Sequence, residues 1–275
     1  MISGMKIVVN ADDFGMSHSK NVAIDKAMRE GLCTQTSLVV NLPCSEEAMK
    51  LAKDGGYMDR VSLHLNLTVG KPLTEKIKKC RYYCEDGEFL FKPVIKSYKQ
   101  ILPMHINCIR NELEAQIVKF IGFGFHPIRI DSHNWVHLRV PVWLALIPLI
   151  KKYNFFSVRP MWEGYLEERI AAKWYRYFKK FQKWLLLSEC VRIFPYSSNI
   201  EQFLIYDEHR TENISTEFIA EVFTHPDIQK NEIMDTSSSY LKLPFNTLQS
   251  NVMQLCMYEK TNFYELYINN KGENI

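Results

Sequence analysis

The strongest constraint on the fold is an alternation. Over most of the chain, short β-branched runs are separated by longer stretches whose apolar residues recur at helical spacing. Adjacent parallel strands cannot be joined by a tight hairpin and need such crossovers, so the pattern predicts an α/β fold built on a largely parallel sheet. Met5 to Asn10 reads as a first strand, and a helix follows from about Ser17, with Val22, Ile24, Ala27 and Met28 on its apolar face and Gly31 at its end. Thr36 to Asn41 is a second strand. Ser45 is the expected N-cap of the next helix, with Glu46 and Glu47 in its first turn and Gly55-Gly56 as its stop. Val61 to Leu67 is a third strand. The pattern weakens from Gly70 to Tyr98, where Glu85-Asp86-Gly87-Glu88 looks like a turn between two short extended pieces. Helix resumes from Asn111 to Phe123, strand from Ile128 to Ser132, helix from Val142 to Tyr153 with a bend at Pro148, and strand from Phe155 to Val158.

A length of 275 residues suits one α/β barrel with insertions, and neither an internal repeat nor a Gly/Ser/Pro linker divides it, so a single domain over 1–275 is expected. Hydrophobic residues at 47% with charged residues at 24% exclude a disordered or low-complexity chain. A net charge of +3 is too small to make nucleic acid an expected partner. The seven cysteines are odd in number and scattered, and the one close pair, Cys80 and Cys84, has no second pair to complete a zinc site, which fits a reducing compartment. The N-terminal stretch has no basic region followed by an apolar one, so a cytoplasmic location is expected. The apolar stretch from Val140 to Ile150 carries Pro141 and Pro148 and falls short of the ~20 residues a membrane span needs.

Active sites of parallel sheets lie at the carboxyl ends of the strands. Three polar clusters fall there: Asp12-Asp13 after the first strand, His64 in the third with Asn66 at its end, and Asp131, His133 and His137 after the fourth. Two imidazoles and a carboxylate are a recurrent ligand set for Zn²⁺, Fe²⁺ or Mn²⁺. His133 and His137 are four apart and share a face whether the segment is helical or extended. The bland alternatives are a capping or turn role for the aspartates and a hydrogen-bonded core role for each histidine.

Four motifs in order, NADDFG, HLNLT followed by GKPL, DSHNWVH and FTHPD, resemble the YdjC family of carbohydrate deacetylases across residues 5–227. The resemblance implies a distorted (β/α) barrel related to the polysaccharide deacetylases, a divalent metal ion (Mg²⁺ or Zn²⁺), and removal of the N-acetyl group from an amino sugar or oligosaccharide. By motif it implies Asp13, His64 and His133 as metal ligands, Asp12 as the base and His225 as the acid. The chain departs from the family pattern at Trp135, where a histidine is usual. If that histidine only lines the pocket, Trp135 offers a sugar ring an apolar face instead. Asn66, His137 and Arg159 are further expected substrate contacts, Arg159 having a structural ion pair as its equal alternative, and Asp131 can orient a ligand imidazole. Two other classes use similar parts: a non-haem iron oxygenase, against which the βα alternation counts, and a relative that binds glycan or membrane without turnover.

The segment 173–185 is unusual. Trp174, Phe178, Phe181 and Leu185 recur at helical spacing among Lys173, Arg176, Lys179, Lys180 and Lys183. Such a stripe usually packs on the barrel, but basic amphipathic helices also bind anionic lipid, so peripheral membrane or lipid-linked glycan contact through 173–185 is the sharper expectation. A homodimer is a further one.

Overall fold

The structure, a computed structural model, describes residues 5–91, 101–159, 177, 180, 181, 184, 196–208, 219–236 and 247–272. Its centre is β1 (Lys6–Phe14), whose residues are buried from Ile7 onward. A strand buried on both faces reads as a nearly continuous apolar run, and Ile7, Val8 and Val9 supply it. Around it lie β2 (Gln35–Leu38), β3 (Val61–Leu65), β6 (Arg129–Ser132), β7 (Ser157–Val158), β8 (Tyr196–Asn199) and β9 (Ile219–Thr224), in the order β7-β6-β3-β2-β1-β9-β8, with β12 (Glu259–Lys260) also on β1. Every pairing in this sheet is parallel. The sheet forms a half-barrel with helices packed on it, the distorted form of the expected α/β barrel.

The crossovers are α1 (His18–Arg29), α2 (Ser45–Asp54), α4 (Pro103–Gly122) and α5 (Val140–Lys152). Ser17 caps α1, its side chain accepting from the Lys20 amide. Ser45 does not cap α2: Cys44 holds the cap position, and Ser45 is the first helical residue and buried. α4 begins at Pro103, ahead of the expected Asn111, because proline is favoured in a first turn, where its missing N–H costs nothing. Between β3 and α4 lies the excursion, with α3 (Glu75–Lys78) and a hairpin of β4 (Cys84–Glu85) and β5 (Glu88–Phe89) about the expected turn. α4 holds its near end: buried Glu112 accepts from the Leu73 and Thr74 amides, and Gln116 exchanges two hydrogen bonds with the Asn66 backbone. After β9 come the hairpin of β10 (Pro226–Gln229) and β11 (Glu232–Asp235), then α7 (Leu248–Met253) and α8 (Phe263–Gly272), α6 being Ile200–Glu208.

Most of 173–185 lies outside the described residues. Within it Tyr177, Lys180, Phe181 and Trp184 are helical and exposed, and Phe181 is stacked on Trp184 and tilted against Trp143. No described helix is long and apolar enough to cross a membrane.

Candidate active site

Sheet register assembles the site. β3 and β6 place His64 opposite Asp131 and Leu65 opposite Ser132, while β1 and β9 place Ala11 opposite Thr224, so Asp12 and His225 leave neighbouring strands at the same level. Successive strand residues normally point to opposite faces. β1 breaks that rule: Asp13 has φ +73°, and the pairing with β2 shifts register between Ala11 and Phe14. This irregularity re-aims side chains beside a site, and both aspartates reach groups at the sheet's carboxyl edge. Gly15 follows at φ +86°, packed so closely that a Cβ there would lie 2.7 Å from the Val39 carbonyl oxygen.

Asp13, His64 and His133 come together. Asp13 Oδ1 lies 2.8 Å from His133 Nδ1 and 3.4 Å from His64 Nε2. One ligand atom from each residue falls within 4.8 Å of the others. A cation with bonds of about 2.0–2.2 Å spaces neighbouring donors about 2.9–3.5 Å apart, so this mixed N/O set fits a divalent ion. The second nitrogen of His64 is already committed, Nδ1 donating to Asp131 Oδ1 at 2.7 Å. That bond leaves Nε2 free to face Asp13, the arrangement by which a carboxylate orients a ligand histidine. Burial acts to lower the His64 pKa, but the Asp131 charge and hydrogen bonds to Asp13 and Asp131 outweigh it and lift it to about 10. Burial likewise acts to raise Asp13, yet its bonds to His133 and His64 hold it well below the usual carboxylate range.

Asp12 has a different partner. Arg159 donates to both its oxygens, at 2.6 and 2.7 Å, and also pairs with Asp131 at 2.9 Å and Glu221 at 3.0 Å. Burial would raise the Asp12 pKa, but the Arg159 charge and hydrogen bonds overcome it and lower it. Asp12, His64 and Asp131 form a second close trio. There the guanidinium already stands between the two carboxylates, where a cation would have to be. His225 Nε2 lies 3.9 Å from Asp12 Oδ2, beyond hydrogen-bond range, and its side chain is 29% exposed.

The other expected contacts are disposed differently. His137 is fully buried, Nδ1 against Ser132 Oγ and Nε2 3.0 Å from the Arg159 carbonyl oxygen. Burial depresses its pKa to about 3, so it is a neutral internal strut with no atom left for substrate. Asn66 is also fully buried: Oδ1 accepts from the Thr68 and Val69 amides and Nδ2 donates to Asn41 and the Val69 carbonyl, which closes the turn after β3. Arg159, 2% exposed, realises its ion-pair alternative. Trp135 is half-buried at φ +54°, its ring 5.5 Å from that of Phe223 with the Arg159 guanidinium 5.7 Å away.

Sequence reasoning missed Lys20, Ser37, Arg129 and Glu221. Lys20 Nζ sits 3.3 Å from Asp13 Oδ2, and Ser37 Oγ 3.1 Å from His64 Nδ1. Arg129 pairs with Glu221 in the same buried network. A lysine three residues after a helix cap and a glutamate within an apolar strand carry no motif; only the fold brings them here.

The sequence model of a family described as YdjC-like protein matches residues 6–259. Among curated relatives, a carbohydrate deacetylase of Brevibacillus brevis is 30% identical over 240 residues, 86% of this chain and 87% of that protein. Another from Clostridium beijerinckii is 35% identical over 150 residues, 54% of this chain and 58% of that one. A chitooligosaccharide deacetylase of Citrobacter koseri is 36% identical over 133 residues, 48% and 50% of the two chains. The last two matches therefore span only half to three-fifths of those relatives. A solved structure from Enterococcus faecalis, described as a candidate cellobiose-phosphate cleavage protein, superposes with a TM-score of 0.68 at 20% identity, covering 95% of this chain and 98% of that one, which bears on the fold alone.

Proposed function

The chain belongs to the family of YdjC-like proteins, and from that premise we propose that it is a metal-dependent carbohydrate deacetylase, hydrolysing the acetamide of an N-acetylated amino sugar or oligosaccharide. The observation that carries this reading is the meeting of Asp13, His64 and His133 donor atoms at the carboxyl edge of the sheet, beside a second carboxylate and a third histidine. Asp13 Oδ1, His64 Nε2 and His133 would hold the ion. A bound divalent cation supplies Lewis acidity, lowering the pKa of water from 15.7 toward about 7 and opposing charge on the acetyl oxygen.

Asp12 accepts the proton of the attacking water. Arg159 keeps it ionised and in one orientation, and by the same contact makes it a weak base that passes its proton on readily. His225, whose Nε2 lies 3.9 Å from Asp12 Oδ2, donates to the departing amine; imidazole is the side chain that changes charge nearest neutral pH. Trp135 offers its partly exposed ring to the sugar.

The test is acetate release from a panel of N-acetylated amino sugars and chitooligosaccharides, with and without chelator. Activity should vanish on chelation, return with Zn²⁺, Mn²⁺ or Mg²⁺, and be absent in Asp13→Ala. Full activity in the chelated protein or in that variant would remove the proposal.

A further inference from the structure

Two consecutive residues after β6 share a backbone conformation that most side chains avoid. Asn134 has φ +53° and ψ +29°, and Trp135 has φ +54° and ψ +30°. Asparagine tolerates this left-handed region, but a bulky tryptophan is an outlier there and persists only where its surroundings over-determine it. One flank supplies part of that determination: the His137 amide donates to Ser132 Oγ, and His137 Nε2 lies 3.0 Å from the Arg159 carbonyl oxygen. The turn after β3 supplies another part. Asn134 Nδ2 donates to Thr68 Oγ1 at 3.2 Å, and that hydroxyl donates in turn to Asn66 Oδ1 at 3.3 Å. A hydroxyl has one proton to give; with Asn66 receiving it, the oxygen can face Asn134 as an acceptor. Asn66 is itself fixed, its Nδ2 donating to Asn41 Oδ1 and to the Val69 carbonyl.

We infer, resting on the carbohydrate reading of this site, that Asn66, Thr68 and Asn134 are a chain of positioning residues that holds Trp135 as the platform for the sugar ring. The chain starts in the core, where Asn66 and Thr68 are buried, and ends at the exposed Asn134. The ring it places belongs to a wall: Trp135 lies 5.5 Å from Phe223, and Phe223 lies 5.8 Å from His225. A pyranose laid on the indole stands on the same wall as the imidazole that serves its departing amine. Indole offers a large apolar face, and a ring already held in its bound orientation avoids the entropy cost of immobilising it on binding. Without the chain, nothing from the β3 turn holds Asn134 in the left-handed region, the pair relaxes, and the platform loses its aim. Asn66 thus serves the substrate at two removes, through Thr68 and Asn134, although it does not face it.

The test is calorimetric titration with di-N-acetylchitobiose in the presence of chelator, where turnover plays no part. Trp135→Ala should bind about tenfold more weakly than native protein. Thr68→Val, which keeps the shape and loses the hydroxyl, should weaken binding about threefold or more, and so should Asn134→Gly, which keeps access to the left-handed region at an exposed position. Thr68→Ser keeps the hydroxyl and should stay within about twofold of native. Because the chain acts through the indole, Thr68→Val/Trp135→Ala should bind no more weakly than Trp135→Ala alone. Native affinity in Thr68→Val and Asn134→Gly, equal losses in Thr68→Ser and Thr68→Val, additive losses in the double variant, or no binding by the native protein overturns the chain. Acetate release without chelator is scored separately. Sugar binding in the expected pattern with no acetate released removes the deacetylase reading and supports the chain; acetate release with no effect of Thr68→Val or Asn134→Gly on binding removes the chain alone.

Discussion

Asp131→Asn tests how the sheet prepares His64. Asp131 does two things in the native protein: against burial, its charge is the largest of the influences, with hydrogen bonds to Asp13 and Asp131 and the Asp12 charge, that lift His64 to about 10, and its Oδ1 accepts the Nδ1 proton, leaving Nε2 for a cation. A divalent ion at neutral pH must therefore displace one proton from His64, and the logarithm of its apparent affinity should rise by about one per pH unit between about pH 7 and 9. Asparagine removes that charge while Asp13 and Asp12 keep theirs, so the His64 pKa falls and the slope in the upper part of that pH range should flatten. Its amide can also donate to Nδ1, which favours the tautomer with the proton on Nε2, where a ligand cannot be. Loss of such an orienting partner typically costs 10–100-fold in metal affinity, or about 1.4–2.7 kcal/mol at the pH-independent limit. Fold should survive, since Arg159 keeps Asp12 and Glu221. Calorimetric titration with Mn²⁺, in paired buffers of different ionisation enthalpy, counts the released protons. The native count should exceed the variant's, the more so toward pH 9. Equal counts and equal affinities in a folded variant would refute the reasoning.

Gly15→Ala should lower stability by about 2–4 kcal/mol, because alanine must adopt the left-handed region with its Cβ pressed on the Val39 carbonyl; a melting temperature within 2 °C of native would contradict this. His137, neutral and held at about 3, makes the folded state bind fewer protons than the unfolded one below pH ~6.5, so stability should fall by up to about 1.4 kcal/mol per pH unit on acidification from there toward pH 3. Denaturant titrations of His137→Gln should show a shallower acid slope than native, and an identical slope would assign the pH dependence elsewhere. Trp135→Ala should raise KM for a sugar substrate by about tenfold with kcat changed less, as expected for a ring that binds substrate and transition state alike. A loss confined to kcat would place Trp135 in the chemistry instead.

The legible part of the site is the part that strand ends dictate. Parallel strands put all their carboxyl ends on one edge, so the polar clusters at Asp12-Asp13, His64 and Asp131-His133-His137 are expected to approach, while the choice of Asp13, His64 and His133 among them rests on the motif resemblance. The limits of β1 were harder to read. Polar Asn10, Asp12 and Asp13 point to a strand that stops at Asn10, whereas it runs to Phe14, because these side chains are buried with partners inside the protein: Asn10 Nδ2 donates to Asp12 and Ser37, Asp12 pairs with Arg159 and Asp13 with His133. Asn66 and His137 follow the same physics: a polar residue near a strand end is expected to face substrate, but each is buried and bonded to nearby backbone instead. Strand order was not legible at all, and with it went Glu221, which meets Arg159 only because β9 lies beside β1.

The two adjacent aspartates acquire different chemistry from the shape of their cationic neighbours. Arg159 presents a planar fork, donates to both oxygens of Asp12 and fixes that carboxylate in one orientation. Lys20 presents a single point of charge, touches only Oδ2 of Asp13, and leaves Oδ1 between the two imidazoles. A fork and a point thus divide one Asp-Asp pair into a fixed carboxylate, proposed as the proton acceptor, and a more open one, proposed as the metal ligand. The surrounding network makes this division rigid: Arg159 is held by Asp131 and Glu221 as well, and Asp131 in turn holds His64, so the orientations of the Asp12 carboxylate and of the His64 imidazole depend on the same buried guanidinium. Buried ion pairs of this kind add little net stability over apolar packing, and removing one partner leaves an uncompensated charge. Their presence at this edge is accounted for by positioning: one arginine ties the two halves of the proposed chemistry to a common reference.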